Sequence, residues 1–172
     1  MKQTLFLLSL LLLVSCNQNS DKILVENNFD GLQGWGLEHS SLTSERAHSG
    51  KYAVKVDAYL EYSLAFNQVL GTLSNKKPKK INVELWTYIP SENAKASFVC
   101  ALADAKTNEN KFWQGFNLVD KTSNYREWVK ITKRLELPEN IALSDKLTCY
   151  LWRPEPSNEV VFIDDLKITI LE

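Results

Sequence analysis

Apolar and polar residues alternate along most of the chain beyond residue 22, and this period of two is typical of β-strands with one buried face. Turn-forming residues separate the alternating segments at short intervals. The pattern predicts strands at residues 23–26, 41–43, 52–57, 59–66, 81–89, 96–103, 112–119, 125–137, 147–153 and 160–170. No segment keeps a helical period over three turns. Short strands without intervening helices predict an all-β fold, a two-sheet antiparallel sandwich or jelly roll.

The same alternation assigns side chains to the two faces of each strand. The predicted core residues are Ile81, Val83, Leu85, Ile89, Phe98, Cys100, Leu102, Phe112, Phe116, Leu118, Leu147, Cys149 and Leu151. The opposite faces then carry Trp86, Tyr88, Trp113, Asn117, Tyr150 and Trp152. Because the outer faces of a two-layer sandwich meet water, large aromatic side chains in these positions indicate a binding surface.

The N-terminus combines a basic residue, Lys2, with an apolar run at residues 5–14 that is too short to span a bilayer. Residues 13–16, Leu-Val-Ser-Cys, follow directly and resemble a bacterial lipobox. This resemblance implies a signal peptide at 1–15, a lipid on Cys16, a polar tether at 16–22 and a domain at 23–172. The expected location is the bacterial cell envelope, at the outer membrane in a Gram-negative organism. The alternative is an ordinary signal peptide followed by an incidental cysteine.

Chain length and charge limit the number of domains and the classes of partner. The 172 residues suffice for one ordinary domain, and the net charge of −1 offers no general basic surface, so nucleic acid is not an expected partner. The basic cluster at residues 76–80 is interpreted either as a solvated loop or as a contact for anionic glycan or lipid. With Cys16 lipidated, Cys100 and Cys149 remain, either as buried thiols or as a disulfide. No Cys-x-x-Cys pair or His-rich tract supports a transition-metal site.

Three motifs occur in a characteristic order along the chain. They are Asn-Phe-Asp at residues 28–30 with Gly-Trp at 34–35, Arg-Ala-His-Ser-Gly-Lys-Tyr-Ala-Val at 46–54, and Val-Phe-Ile-Asp-Asp-Leu at 161–166. In this order the chain resembles carbohydrate-binding modules of the galactose-binding-like jelly-roll superfamily over residues 23–172. The resemblance implies a jelly-roll sandwich and, by analogy, a polysaccharide or oligosaccharide ligand.

The same resemblance implies a structural calcium ion that joins the chain ends. Its candidate ligands are Asp30, Asp164 and backbone oxygens around Ser49 and Lys51, with Glu45 as a further candidate. Calcium prefers a mixture of carboxylate and carbonyl oxygens, which these residues offer. The alternative is that Asp30 caps a turn and that Asp164 accepts backbone hydrogen bonds.

An exposed Trp or Tyr can stack on the apolar C–H face of a sugar ring, while neighbouring polar groups bind its hydroxyls. The predicted ligand-binding residues are Trp113, Asn117, Tyr150 and Trp152 on one outer face, with Arg153 and Glu61 at its margins. The alternative is that loops cover this face and turn the rings into a second small core. Trp35 and Trp128 are interpreted as packing residues, whereas the sequence leaves open whether Trp86 packs or binds ligand.

Catalytic residues are scarce. The chain has two histidines, His39 and His48, and lacks a Gly-x-Ser-x-Gly motif. The sequence therefore predicts a tethered protein that binds glycan and is not an enzyme. One alternative is an interaction or assembly module with a protein partner in the envelope, and another is a polysaccharide hydrolase or lyase.

Overall fold

The computed structural model describes residues 22–32 and 39–171. The predicted signal peptide at 1–15, Cys16, the tether up to residue 21 and Trp35 lie outside the described residues. No helix within the described ranges is long and apolar enough to cross a membrane. The strands are β1 (Ile23–Asn27), β2 (Leu42–Thr43), β3 (Ala53–Val56), β4 (Phe66–Val69), β5 (Lys80–Tyr88), β6 (Ser97–Asp104), β7 (Asn110–Asn117), β8 (Trp128–Glu136), β9 (Asp145–Trp152) and β10 (Val161–Leu171).

Two antiparallel sheets form the fold, as the sequence predicts. The six-stranded sheet has the order β2-β3-β10-β5-β8. One edge of β10 pairs first with β3, at Val161 to Ile163, and then with β1, from Leu166 onward. The four-stranded sheet has the order β4-β9-β6-β7. The only α-helix among the described residues is a single turn, α1 (Leu70–Leu73), between β4 and β5.

The core lies between the two sheets. Ile81, Val83 and Leu85 of β5 face it from one sheet and Phe98, Cys100 and Leu102 of β6 from the other, and all six are buried. The remaining predicted core residues are also buried, except Phe112, which packs half-buried against the cluster. Cys100 and Cys149 are free thiols on paired positions of β6 and β9, 3.6 Å apart. The contact with Cys100, together with burial, raises the pKa of Cys149.

The predicted strand at 59–66 is wrong, because regular pairing in this region starts only at Phe66. Asp57 Oδ1 accepts hydrogen bonds from the N–H groups of Tyr59 and Leu60, at 2.9 and 3.0 Å, and so closes a local turn. Further along, the Ser63 hydroxyl accepts the N–H of Leu151 at 2.9 Å, in place of a backbone carbonyl. The segment before β4 therefore meets the sheet edge through one isolated bridge, Tyr62 with Trp152, while a second bridge, Asp57 with Leu60, closes the local turn.

Candidate functional site

Four aromatic side chains meet on the outer face of the four-stranded sheet, and we call them the aromatic platform: Tyr62, Trp113, Tyr150 and Trp152. The Trp113 and Trp152 rings meet edge to face at 5.9 Å. The Tyr62 and Trp152 planes are parallel within 5°, with centroids 6.4 Å apart, and Tyr62 also contacts Tyr150 at 5.9 Å. Trp113 is 47% exposed and Tyr62 49%. The platform thus presents ring surface to water.

Small side chains on β6 allow these rings to meet. The register places Ala101 beside Trp113 on β7, Val99 beside Tyr150 on β9, and Ser97 beside Trp152. Val99 is fully buried although it belongs to the outer face, since the larger neighbouring side chains cover it. Rings from two strands that do not pair with each other therefore form one continuous surface above the strand between them.

Hydrogen bonds fix the orientation of the indole rings. Trp113 Nε1 donates to Tyr150 Oη at 3.4 Å, and Trp152 Nε1 donates to Glu61 Oε1 at 3.2 Å. The neighbouring Tyr62 hydroxyl, first, and the Trp152 indole lower the pKa of the Glu61 carboxyl. The exposed Glu61 therefore stays ionised and can accept further hydrogen bonds from a ligand.

Asn117, predicted on the outer face, and Arg153, predicted at its margin, have different surroundings. Asn117 is exposed at the end of β7, opposite Ser97, and its Oδ1 accepts the N–H of Val119 at 3.0 Å. Its amide N–H groups have no protein partner among the described residues' hydrogen bonds. The Arg153 guanidinium instead donates to the carbonyls of Asp57 and Glu155, at 2.8 and 2.9 Å. The half-buried Arg153 thus holds the segment that carries Glu61 and Tyr62.

Tyr62 belongs to the platform but was not among the residues predicted from the sequence. A regular strand at 59–66 would place residues 61 and 62 on opposite faces. In the irregular segment both side chains reach Trp152, Glu61 by a hydrogen bond and Tyr62 by stacking. The only sequence signal for Tyr62 is its place next to Glu61, and alternation argues against it.

Gly115 leaves room for the Trp113 ring. A Cβ at Gly115 would lie 2.8 Å from Cη2 of Trp113 and 3.3 Å from its Cζ3. The indole therefore lies over residue 115 of its own strand, which brings it toward Trp152. Glycine in a strand interior often marks such a close approach.

The outer face of the six-stranded sheet also carries aromatic rings, but the segment before β3 covers part of it. The His48 ring stacks on Trp86 at 3.9 Å, and the Arg46 guanidinium lies 3.9 Å above the Tyr88 ring. Trp128 contacts both His48 and Tyr88 edge to face. Trp86 and Trp128 thus belong to a covered cluster, and the open aromatic surface is that of the other sheet.

The residues predicted to bind calcium converge where this covering segment meets the chain ends. Asp30 Oδ1 accepts the N–H groups of Lys51 and Tyr52, both at 2.8 Å. Asp164 Oδ2 accepts those of His48 and Ser49, at 2.8 and 3.0 Å. Asp30 also fills the space beside Gly50, whose φ of 57° suits glycine. Direct hydrogen bonds therefore join β1, the turn and β10.

The two carboxylates still leave oxygen lone pairs for a cation. Asp30 Oδ2 accepts only the side-chain amide of Asn28, and Asp164 Oδ1 only the N–H of Asp165. Asp164 is fully buried, and burial raises the pKa of its carboxyl despite the backbone N–H groups that bond it. Together with backbone carbonyls such as those of Ser49 and Lys51, these oxygens are of the chemical type that calcium prefers. Glu45, the further candidate ligand, is engaged elsewhere, in an ion pair with Lys55 at 2.6 Å.

The described residues contain no group of three or more His, Cys, Asp or Glu side chains that could hold a metal, so backbone oxygens would have to complete the site.

The histidines do not assemble a hydrolytic site. His48 Nδ1 contacts Asp165 Oδ2 at 2.6 Å, and the Ser49 hydroxyl donates to Asp165 Oδ1 at 2.6 Å. The hydroxyl is thus bonded to the carboxylate and not to the imidazole, whereas an activated serine requires the imidazole as its base. The His39 ring hydrogen-bonds its near neighbour Ser41, with Nδ1 and Oγ 2.8 Å apart.

The fold is similar to those of solved carbohydrate-binding modules. The CBM22-1 xylan-binding domain of Paenibacillus barcinonensis Xyn10C is 15% identical and matches 88% of this chain and 96% of its own length, with a TM-score of 0.54. The CBM22-2 xylan-binding domain of the same protein is 18% identical over 86% of this chain and 99% of its own, also at 0.54. A family 16 carbohydrate-binding module is 11% identical over 85% of this chain and 98% of its own, again at 0.54.

At these identities the likeness establishes the fold, a jelly-roll sandwich. No protein-family model matches the chain, and no curated protein matches it significantly.

Proposed function

We propose that this chain binds a polysaccharide or oligosaccharide on the aromatic platform, without cleaving it, while a lipid on Cys16 tethers it to the bacterial cell envelope. The observation that carries the proposal is the meeting of Trp113 and Trp152 across β6, with Trp113 about half exposed. The names of the structural neighbours, which describe xylan-binding and carbohydrate-binding modules, support it.

The platform has the two kinds of group that sugar recognition requires. The indole and phenol rings offer apolar faces against which the C–H face of a sugar can pack. Glu61 and Asn117, at its margin, offer an ionised acceptor and amide donors for hydroxyl groups. Hydrogen bonds hold Trp113 and Trp152 in place before a ligand arrives, which reduces the entropy lost on binding.

A binding function without cleavage agrees with the acid–base chemistry of the platform. Glycoside hydrolysis generally uses two carboxyl groups, one of which has a raised pKa and acts as the acid. Glu61 is the carboxylate that is hydrogen-bonded to the platform, through the Trp152 indole, and its pKa is lowered. Glu61 is therefore suited to accept hydrogen bonds and not to protonate a leaving group.

The structural calcium ion is the second part of the proposal. It would bind Asp30 and Asp164 with backbone oxygens of Ser49 and Lys51, and would add to the hydrogen bonds that already join the chain ends. Its contribution would be to stability, since these residues lie at the other sheet from the platform.

A glycan-binding assay on the purified protein tests the main proposal. The double substitution Trp113→Ala/Trp152→Ala should abolish binding to any polysaccharide that the wild type binds. The matched control is Tyr59→Ala, which removes a 99% exposed aromatic side chain outside the platform and should leave affinity unchanged. Binding unaffected by the double substitution, or absent in wild type across a broad glycan panel, would contradict the proposal. Loss of a co-purifying envelope protein in the double variant would instead favour the interaction module.

A further inference from the structure

We propose that one end of the sandwich is a docking surface for anionic phospholipid headgroups. Six cationic side chains form this surface, which we call the basic end: Lys22, Lys76, Lys77, Lys79, Lys80 and Arg134. All six are exposed. The residues that line this concave surface include one carboxylate, Glu136, which pairs with Lys80 at 2.8 Å. The proposal rests on the lipid anchor at Cys16 but not on glycan binding.

Three chain segments bring these charges together. Residues 76–79 lie between α1 and β5, which begins at Lys80, while Lys22 precedes β1 and Arg134 lies near the end of β8. Lys22 Nζ donates to the Ser74 hydroxyl at 3.4 Å, and the carbonyl of Lys79 accepts the N–H of Leu137 at 2.8 Å. Pro78 is buried within the loop. The loop is therefore held to the sheet, and the lysine side chains extend from a fixed backbone.

The connection to the membrane favours phospholipid as the partner. Lys22 is six residues from Cys16 in the sequence, and six residues extend over at most about 20 Å. A lipid on Cys16 would hold Lys22, and with it the basic end, within that distance of the bilayer. A polybasic surface beside a lipid anchor adds electrostatic attraction to anionic headgroups.

The aromatic platform lies toward the opposite end of the four-stranded sheet. The β9 strand begins at Asp145, next to the chain reversal after β8, and reaches Trp152 seven residues later, which is about 23 Å at strand spacing. With the basic end against the bilayer, Trp152 and Tyr62 would face away from it. Docking would thus keep the platform accessible while the chain is tethered.

The surface itself suits headgroups better than a sugar chain. Its lining residues include no aromatic side chain on which a sugar ring could stack. Lysine ammonium groups on flexible stems bind phosphate as point charges, and each lysine near an anionic membrane strengthens association roughly five-fold. This attraction acts over about 10 Å and weakens as salt is added.

Lysine labelling of the reconstituted full-length lipoprotein tests the proposal. The protein is incorporated into vesicles of phosphatidylcholine alone or with phosphatidylglycerol, and acylation rates are measured residue by residue. Lys76, Lys77 and Lys79 should react at least three-fold more slowly in the anionic vesicles, and 1 M NaCl should remove the difference. Lys95 and Lys121, near the other end, should react equally in both.

Charge reversal separates this effect from general electrostatics. Lys76→Glu/Lys77→Glu/Lys79→Glu should abolish the lipid-dependent protection of Lys22 and Lys80, whereas Lys95→Glu/Lys121→Glu/Arg126→Glu, which reverses as many charges elsewhere, should not. Flotation of the vesicles in a density gradient shows whether the protein is bound to them. Protein that is bound to both kinds of vesicle but shows no difference in labelling overturns the docking surface. Protein that is bound to neither overturns the anchor and the docking inference with it, while glycan binding can still be assayed. Equal protection by a soluble anionic polysaccharide on neutral vesicles would assign the surface to glycan and overturn the assignment to lipid.

Discussion

Trp113 and Trp152 meet edge to face, with ring centroids 5.9 Å apart and planes at 80°, although their strands β7 and β9 do not pair with each other. Both strands flank β6, whose outer residues at this position are Ser97, Val99 and Ala101. A larger side chain on β6 would separate the two indoles. The contact thus depends on small residues in one strand as much as on the aromatic residues in its neighbours.

Substitution of Gly115 should reduce glycan affinity without unfolding the protein. A Cβ at residue 115 would meet Cη2 of Trp113 at 2.8 Å, so Gly115→Val must displace the indole from its position beside Trp152. We expect about ten-fold weaker binding by calorimetry, equivalent to about 1.4 kcal/mol. Gly31→Val is the matched control, because nothing lies within 4 Å of a Cβ there. Equal affinity of both variants would show that the indole position does not matter.

Glycan binding should be insensitive to pH over the neutral range and should weaken only in acid. The Tyr62 hydroxyl and the Trp152 indole lower the pKa of Glu61, so its ionised form persists below the ordinary glutamate value of roughly 4.3. Because the folded pKa is the lower one, the hydrogen bonds of Glu61 are present above it and are lost as the pH falls through it. Glu61→Gln should remove this acid limb from the titration of affinity. A midpoint of the affinity titration between pH 5 and 8 would contradict the assignment of the pH dependence to Glu61.

Lys111→Met should destabilise the fold. Lys111 Nζ lies 2.8 Å from Oδ1 of Asp145, which is fully buried, and the substitution would leave that carboxylate without its cation. We expect a clear loss in the free energy of unfolding by denaturant titration, larger than the loss for an exposed ion pair. Lys80→Met is the control, since Lys80 and Glu136 form an exposed pair and the loss should stay below about 1 kcal/mol. Similar losses in both variants would mean that burial of Asp145 carries no penalty.

The same ion pair should limit stability in strong base. Hydrogen bonding to Asp145 is the main cause that raises the pKa of Lys111. The pKa of Lys111 is therefore higher in the folded protein than in the unfolded chain, where it is roughly 10.4. Its contribution to the free energy of unfolding is complete below the unfolded pKa and is lost as the pH rises through the folded pKa. The stability difference between wild type and Lys111→Met should therefore be constant from pH 6 to about 10 and shrink above it. A difference that already shrinks near neutral pH would contradict this prediction.

Calcium should raise the melting temperature of the protein if the chain-end carboxylates bind it. The expected shift on adding millimolar calcium to chelator-treated protein is several degrees, because binding to the folded state alone stabilises it. Asp30→Asn should abolish the shift, while Glu45→Gln should not, since Glu45 is paired with Lys55. An unchanged melting temperature in wild type would contradict calcium binding and would leave Asp30 and Asp164 with a role in hydrogen bonding to the turn.

The sequence alone determined that the fold is built of β-strands and which way side chains point in the regular ones. Alternation has a fixed meaning in a regular strand, so burial of Val83, Phe98 and Leu147 and the outward position of Trp113 could be predicted without coordinates. The motifs at residues 28–30, 46–54 and 161–166 indicated the jelly roll, and Asp30 and Asp164 do lie against the turn at residues 48–52.

Only the tertiary structure decided which aromatic side chains are exposed to solvent. Trp86 and Trp113 both point outward, but His48 stacks on the former, from a segment whose path over the sheet no local pattern encodes. Tyr62 joined the platform because a side-chain turn at Asp57 and the hydroxyl of Ser63 replace regular pairing. Local periodicity reports which way a side chain points, whereas its exposure depends on chain segments that are distant in sequence, and their contacts form only when the whole fold does.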